Sequence, residues 1–257
     1  MSDPEIPDRQ VPHPGKDAKR SLPKRFYKKV EVVAGEGGYG VLLDGRPLKT
    51  PSRQPLVVAS ERLAAALAAE WDRQASVIDI PSMWLTKIVN TSLDRVAAHR
   101  DAVIGEIAGF GATDLLCYRA DHPDELVRRQ HAAWQPIVDW AEALLGARIA
   151  VTQGVAHVAQ PEALLSALVA HLNGMSDLDL TALHTLTTLT GSVFLALAVQ
   201  AGRLTGAQAF AAAHIDEAWQ AEVWGVDAEA EKRLAGRQAE FDAAAGLLAL
   251  IGDATST

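Results

Sequence analysis

The chain has 257 residues, 49% of them apolar, and a formal net charge of -8. That much apolar side chain supplies a core for one large or two modest domains, which excludes a disordered chain. The acidic balance argues against sequence-blind binding to nucleic acid or to an anionic membrane, both of which want basic surface, and points to a protein partner.

Residues 1–23 combine prolines with mixed charge and show no periodicity, so they read as a disordered arm, and they lack the apolar stretch of a secretory signal. Arg25 to Ala34 ends in β-branched valines and predicts a first strand. Gly35, Gly37, Gly38 and Gly40 then form a turn. No Gly-Lys-Ser/Thr follows them, so a hairpin is read there and no phosphate loop. Tyr39–Leu43 and Arg46–Thr50 flank Asp44-Gly45, a strong hairpin signal, and Pro55 to Val58 adds a short strand. Ser60 caps a helix whose Leu63, Leu67 and Trp71 form one apolar stripe able to lie across this meander, with Trp71 expected in the core.

The stretch Glu70 to Asp94 is a seam, because helical spacing dominates after it. Helices are predicted over 94–110 and from Pro123 to Leu145, where Leu126, Gln130, Trp134 and Ile137 share a side. Between these two helices lies an extended piece, Leu115 to Ala120, with the single cysteine, Cys117, read as buried. A brief strand is predicted at Arg148–Thr152 and a helix at Pro161–Leu172. One long central helix is read over Leu178–Gln200, one from a capping box at Thr205 and Gln208 to Trp224, and a last one from Asp227. The apolar window Thr190–Ala201 is too short to span a bilayer. The fold class is therefore α+β. A small two-layer α/β domain, an antiparallel meander plus helix at 24–93, precedes an all-α orthogonal helical bundle at 94–252.

No nucleophile elbow, Walker loop, Rossmann fingerprint or paired-cysteine site is present, so no catalytic residue and no cofactor is expected. His99, His122, His131, His157, His171 and His184 are scattered. On a continuous helix to Trp224, Phe210, His214, Glu217, Ala221 and Trp224 fall in one stripe, while Ile215 and Trp219 lie round the other side. Two readings of Glu217 stay open on spacing alone. It is either a polar anchor in an apolar contact patch or a carboxylate paired with His214 one turn back. A metal-dependent enzyme using His214, Glu217 and Asp216 is the alternative function.

Glu70-Trp71-Asp72-Arg73-Gln74, Ile80-Pro81, Met83, Leu85-Thr86, Asn90-Thr91 and Asp94 form a spaced signature. With the YGVLLDGRPLKTP hairpin and the LTTLTGSVFLALAVQAGRL and HIDEAWQAEVWG segments, it resembles the assembly chaperones specific for the F1-ATPase alpha subunit. Trp84 stands where that family carries proline. The resemblance implies a non-enzymatic chaperone that works without ATP, and a monomer is expected. It implies a one-to-one complex with the free alpha subunit, released when the beta subunit takes over the same surface. The expected compartment is the bacterial cytoplasm, the mitochondrial matrix being the eukaryotic equivalent. The resemblance also favours a functional acidic residue in HIDEAWQAEVWG. The partner-binding set expected is therefore Glu217, Asp216, Gln220, Trp224 and Phe210.

Overall fold

The structure, a computed structural model, describes residues 22–154, 156–225 and 227–252. The expected arm thus lies outside the described residues except for its last two. There the Pro23 carbonyl accepts from Ile78 N–H at 2.8 Å, so this end is tied to the seam.

Strand β1 (Val30–Gly35) pairs antiparallel with β2 (Gly38–Leu43), register Val30 to Leu43 and Gly35 to Gly38. The far edge of β2 carries β3 (Arg46–Pro47) at one end and β4 (Val57–Val58) at the other, both antiparallel. Asp44 and Gly45 both have positive φ, 48° and 77°, the conformation that a two-residue hairpin turn needs. Gly38 is required for a different reason, since a Cβ there would lie 2.4 Å from the Val58 carbonyl oxygen where β4 crosses. Helix α1 (Glu61–Asp72) is capped by Ser60 as expected and buries Leu63, Leu67 and Trp71, its apolar stripe lying on β1, β2 and β4. Tyr27 packs on Trp71 at 5.8 Å and donates its hydroxyl to the Trp71 carbonyl at 2.7 Å.

The seam holds an element that the spacing did not predict, α2 (Trp84–Asp94). Its N-cap position is Met83, whose side chain makes no capping hydrogen bond and is fully buried instead. The cap comes from α1. Glu70 accepts from Leu85 N–H at 3.0 Å, Thr86 N–H at 2.8 Å and Thr86 Oγ1 at 2.6 Å, the donors that a capping side chain at position 83 would have satisfied. Trp84 is the first helical residue, a place proline favours because its N–H is unpaired in any case, so tryptophan fits without altering the loop. At the far end of α2, Asp94 accepts from Thr50 Oγ1 at 2.6 Å and Ser52 N–H at 3.0 Å, tying the helix to the meander. Helix α2 also packs on the later helices.

After α3 (Arg100–Gly111), a 3-10 turn at Leu115–Cys117 leads into β5 (Tyr118–Arg119). Helix α4 (Asp124–Leu145) follows, then β6 (Thr152–Gln153), parallel to β5. Helix α5 (Glu162–Asn173) lies on α3. The single helix expected over Leu178–Gln200 is two, α6 (Asp177–Thr190) and α7 (Val193–Gln200). Gly191 at φ 70° ends the first and Ser192 caps the second. Val193 through Ala198 are fully buried, so α7 is the centre of the bundle, enclosed by α6, α4 and α3 together with α8 (Gly206–Ala213) and α10 (Ala228–Gly252), while α9 (Ile215–Trp224) lies outside it on α4. The apolar core runs without interruption from Tyr27 to Leu248. Among the described residues no helix is long and apolar enough to cross a membrane.

The break between α6 and α7 is held by Asp114, which is fully buried. It accepts from Leu116 N–H at 3.0 Å and Phe194 N–H at 3.2 Å. Burial outweighs these bonds and pushes its carboxyl up to about 7. Cys117 beside it is buried as expected, and burial raises its thiol to about 12, which leaves it unreactive.

Two predictions follow from these buried acids. Glu70→Ala should cost about 2 kcal/mol or more, read as a lower urea midpoint, because three donors lose their acceptor together. For Asp114 the folded carboxyl titrates above the unfolded one. From about pH 4 to about 7 the folded state keeps a proton that the unfolded state has released, so stability falls as pH rises through that window. Asp114→Asn should therefore shrink the fall in Tm between pH 5 and pH 8.

Candidate partner-binding cleft

The stripe expected on one helix from Thr205 to Trp224 is broken at His214. The capping box at Thr205 and Gln208 forms as expected and opens α8, but α8 ends at Ala213 and α9 begins at Ile215. The cause is local. In a continuous helix the Phe210 carbonyl would accept from the His214 backbone N–H. Here the His214 ring takes that carbonyl, Nδ1 to oxygen 2.8 Å, while its backbone N–H falls back to Ala211 at 3.2 Å. A carbonyl only accepts, so Nδ1 carries the proton.

The break changes the phase of everything after it. Phe210 is 6% exposed and lies in the core, stacked on His214 at 4.2 Å and edge-on to Phe241 at 5.3 Å. It therefore leaves the surface set in which the sequence put it. His214 is buried against Phe210 and makes no pair with Glu217. Asp216 is half-buried and accepts from Gln130 Nε2 at 2.6 Å, so it latches α9 to α4. Gln220 is exposed. Trp224 is 74% exposed and Val223 51%, with Trp219 edge-on to Trp224 at 5.9 Å. The second tie to α4 is Arg129, which meets both carboxylate oxygens of Glu222 at 2.8 Å and holds that carboxyl below its usual range. No side chain of α9 is fully buried, a condition no other α-helix shares among the described residues.

Between α9 and the first half of α10 lies an open cleft of about 500 Å³. One wall is Glu217, Ala218 and Ala221, and the other Ala230, Glu231, Arg233, Leu234 and Arg237, with His214 also lining it. The α10 wall was missed from sequence. Its signal was present, because residues 228 to 233 hold no apolar side chain larger than alanine and all of them remain exposed.

The cleft holds no catalytic constellation. His214 and Glu217 both line it, but no hydrogen bond joins them. Among the described residues no group of three or more His, Cys, Asp or Glu side chains is placed to hold a metal. The metal-dependent alternative therefore lacks a ligand set. What the arrangement offers is contact surface, an exposed Trp224 packed on a half-buried Trp219 near an apolar groove with a carboxylate in its wall. The division between core and surface on either side of His214 is testable by chemical denaturation. Phe210→Ala should cost about 3 to 5 kcal/mol, and Trp224→Ala should stay within about 0.5 kcal/mol of the parent.

The model of the family described as ATP12 chaperone protein matches residues 24–142, which covers the meander and the seam but not the cleft. The solved structure of Atp12 from Paracoccus denitrificans is 44% identical, over 89% of this chain and 98% of that one, with a TM-score of 0.84. That of the Atu1473 protein from Agrobacterium tumefaciens is 46% identical, over 90% and 87%, with a TM-score of 0.85. Mitochondrial protein atp12 of Schizosaccharomyces pombe is 24% identical over 215 residues, 79% of this chain and 74% of its own length. With identity above 40% sustained across nearly the whole length of a solved Atp12, the chain belongs to the ATP12 chaperone family.

Proposed function

We propose that this chaperone serves F1-ATPase assembly by holding the free alpha subunit, using the α9 surface and its cleft, until the beta subunit takes over the covered surface. Subunits of an obligate complex expose large apolar interfaces while alone, and a protein that covers such an interface prevents aggregation without any chemistry. The observation that carries the reading is α9 itself. It is a helix with no fully buried side chain, held to α4 by polar ties, and it displays Trp224 and Val223 to solvent beside Glu217. Exposed aromatics around a polar group are the composition of a protein contact rather than of an unused surface. The expected stoichiometry is one to one, with the chaperone a monomer before capture, in the bacterial cytoplasm where F1 would be assembled.

Glu217, Asp216, Gln220 and Trp224 remain the contact residues in this reading, with Val223 added and Phe210 supporting them from the core. Glu217→Lys should leave circular dichroism and Tm at the parent values, because its carboxylate has no partner to lose among the described residues. The same variant should no longer suppress light scattering by purified F1 alpha subunit. A variant that folds and still protects the alpha subunit would place the contact elsewhere.

A further inference from the structure

We infer that the cleft between α9 and α10 receives an amphipathic helix of the partner that carries lysine or arginine beside its apolar stripe. This rests on the reading of α9 as the partner-binding surface and specifies what that surface accepts. The first observation is the state of the charges in the cleft. Arg233 is engaged by Glu229 at 2.9 Å, and Arg237 donates to the Leu189 carbonyl at 2.5 Å. The side chains of Glu217 on one wall and Glu231 on the other have no hydrogen bond or ion pair among the described residues. The carboxylate of Asp227, at the cleft end of α10, accepts from the Glu229 backbone N–H and from no other group among the described residues. Arg233 is thus neutralised by Glu229, which leaves the three carboxylates of Glu217, Glu231 and Asp227 without an ion pair against the single uncompensated guanidinium of Arg237. A cationic ligand gains from this arrangement and an anionic one is repelled.

The second observation is shape. Ala218 and Ala221 are three apart on α9 and face Ala230 and Leu234 on α10, so the two walls present shallow apolar rows with charge at their edges. Two helices meeting in this way leave a groove into which the ridge of a third helix fits, with apolar side chains at three- and four-residue spacing as its contact. The volume of about 500 Å³ suits a few side chains and not a folded domain. An extended strand is disfavoured, because the helical walls offer no free backbone edge with which to pair.

The test uses the full chain, purified F1 alpha subunit, and two labelled helical peptides of equal apolar content, one built on leucine and lysine and the other on leucine and glutamate. The parent should bind the lysine peptide and not the glutamate peptide, and its capture of the alpha subunit should weaken with added salt. The double variant Glu217→Gln, Glu231→Gln should lose about tenfold in affinity for both the lysine peptide and the alpha subunit, and its salt dependence should flatten. Equal binding of the two peptides overturns the inference. So does a self-association of the parent, seen by sedimentation, that the double variant abolishes, because the occupant would then be a second copy of this chain. If the double variant captures the alpha subunit like the parent while Trp224→Ala fails to, the charge inference falls and the α9 surface stands. If both variants capture like the parent, both readings fall.

Discussion

The carboxylate of Glu70 is the constraint on which the rest of the fold depends. An acid removed from water is costly unless its oxygens are satisfied, and here every contact goes to the first turn of α2. Because Glu70 belongs to the helix that covers the meander and its donors belong to a helix that packs on α6 and α10, a single side chain fixes how the two layers meet. The neighbouring residues extend the same junction. Gln74 accepts from Asp79 N–H at 2.8 Å, and Arg25 pairs with Asp72 at 3.0 Å while also donating to the Gln74 carbonyl. The signature by which the chain resembles its family is thus a set of structural ties. It identifies the scaffold and says little about the proposed contact surface, which lies more than a hundred residues further along.

The two helix breaks place that surface. Asp114 holds the first, turning the chain so that α7 enters the middle of the bundle, and His214 makes the second. Without the second break α9 would continue the line of α8, whose Ala209, Phe210, Ala212 and Ala213 are buried, and Trp224 would share the stripe of the buried Phe210. The change of direction instead lays α9 along α4, where Trp134 donates its indole N–H to the Ala212 carbonyl at 2.7 Å just before the turn. The exposure of Trp224 is therefore a consequence of one imidazole competing with its own backbone.

How much of this was legible in the sequence follows from where each signal sits. The Asp44-Gly45 hairpin, the Ser60 cap and the Thr205 capping box are written within four residues, and all are found. Helix α2 was not legible because its cap is supplied by Glu70, outside any local window. The Gly191-Ser192 break was written as a stop followed by a cap, but an apolar spacing that continues across it concealed the turn. The break at His214 carries no glycine or proline, and its cause is a side-chain bond that spacing cannot express. Phe210 was consequently placed on the surface with Glu217 and Trp224, since a wheel drawn through a break assigns false neighbours.

The way α9 is fastened gives it a different opening free energy from the bundle beneath. Its ties to α4 are the hydrogen bond from Gln130 and the Arg129 ion pair, both of which water can replace, and half-buried Ile215 is its main apolar contact with the core. Releasing it exposes little apolar area, so its amides should exchange with solvent through a local excursion well below the energy of global unfolding. The segment proposed to meet the partner is thereby able to remodel on contact while α7 and its neighbours stay closed. If α9 is the contact helix proposed above, affinity can change there without altering the stability of the fold that carries it.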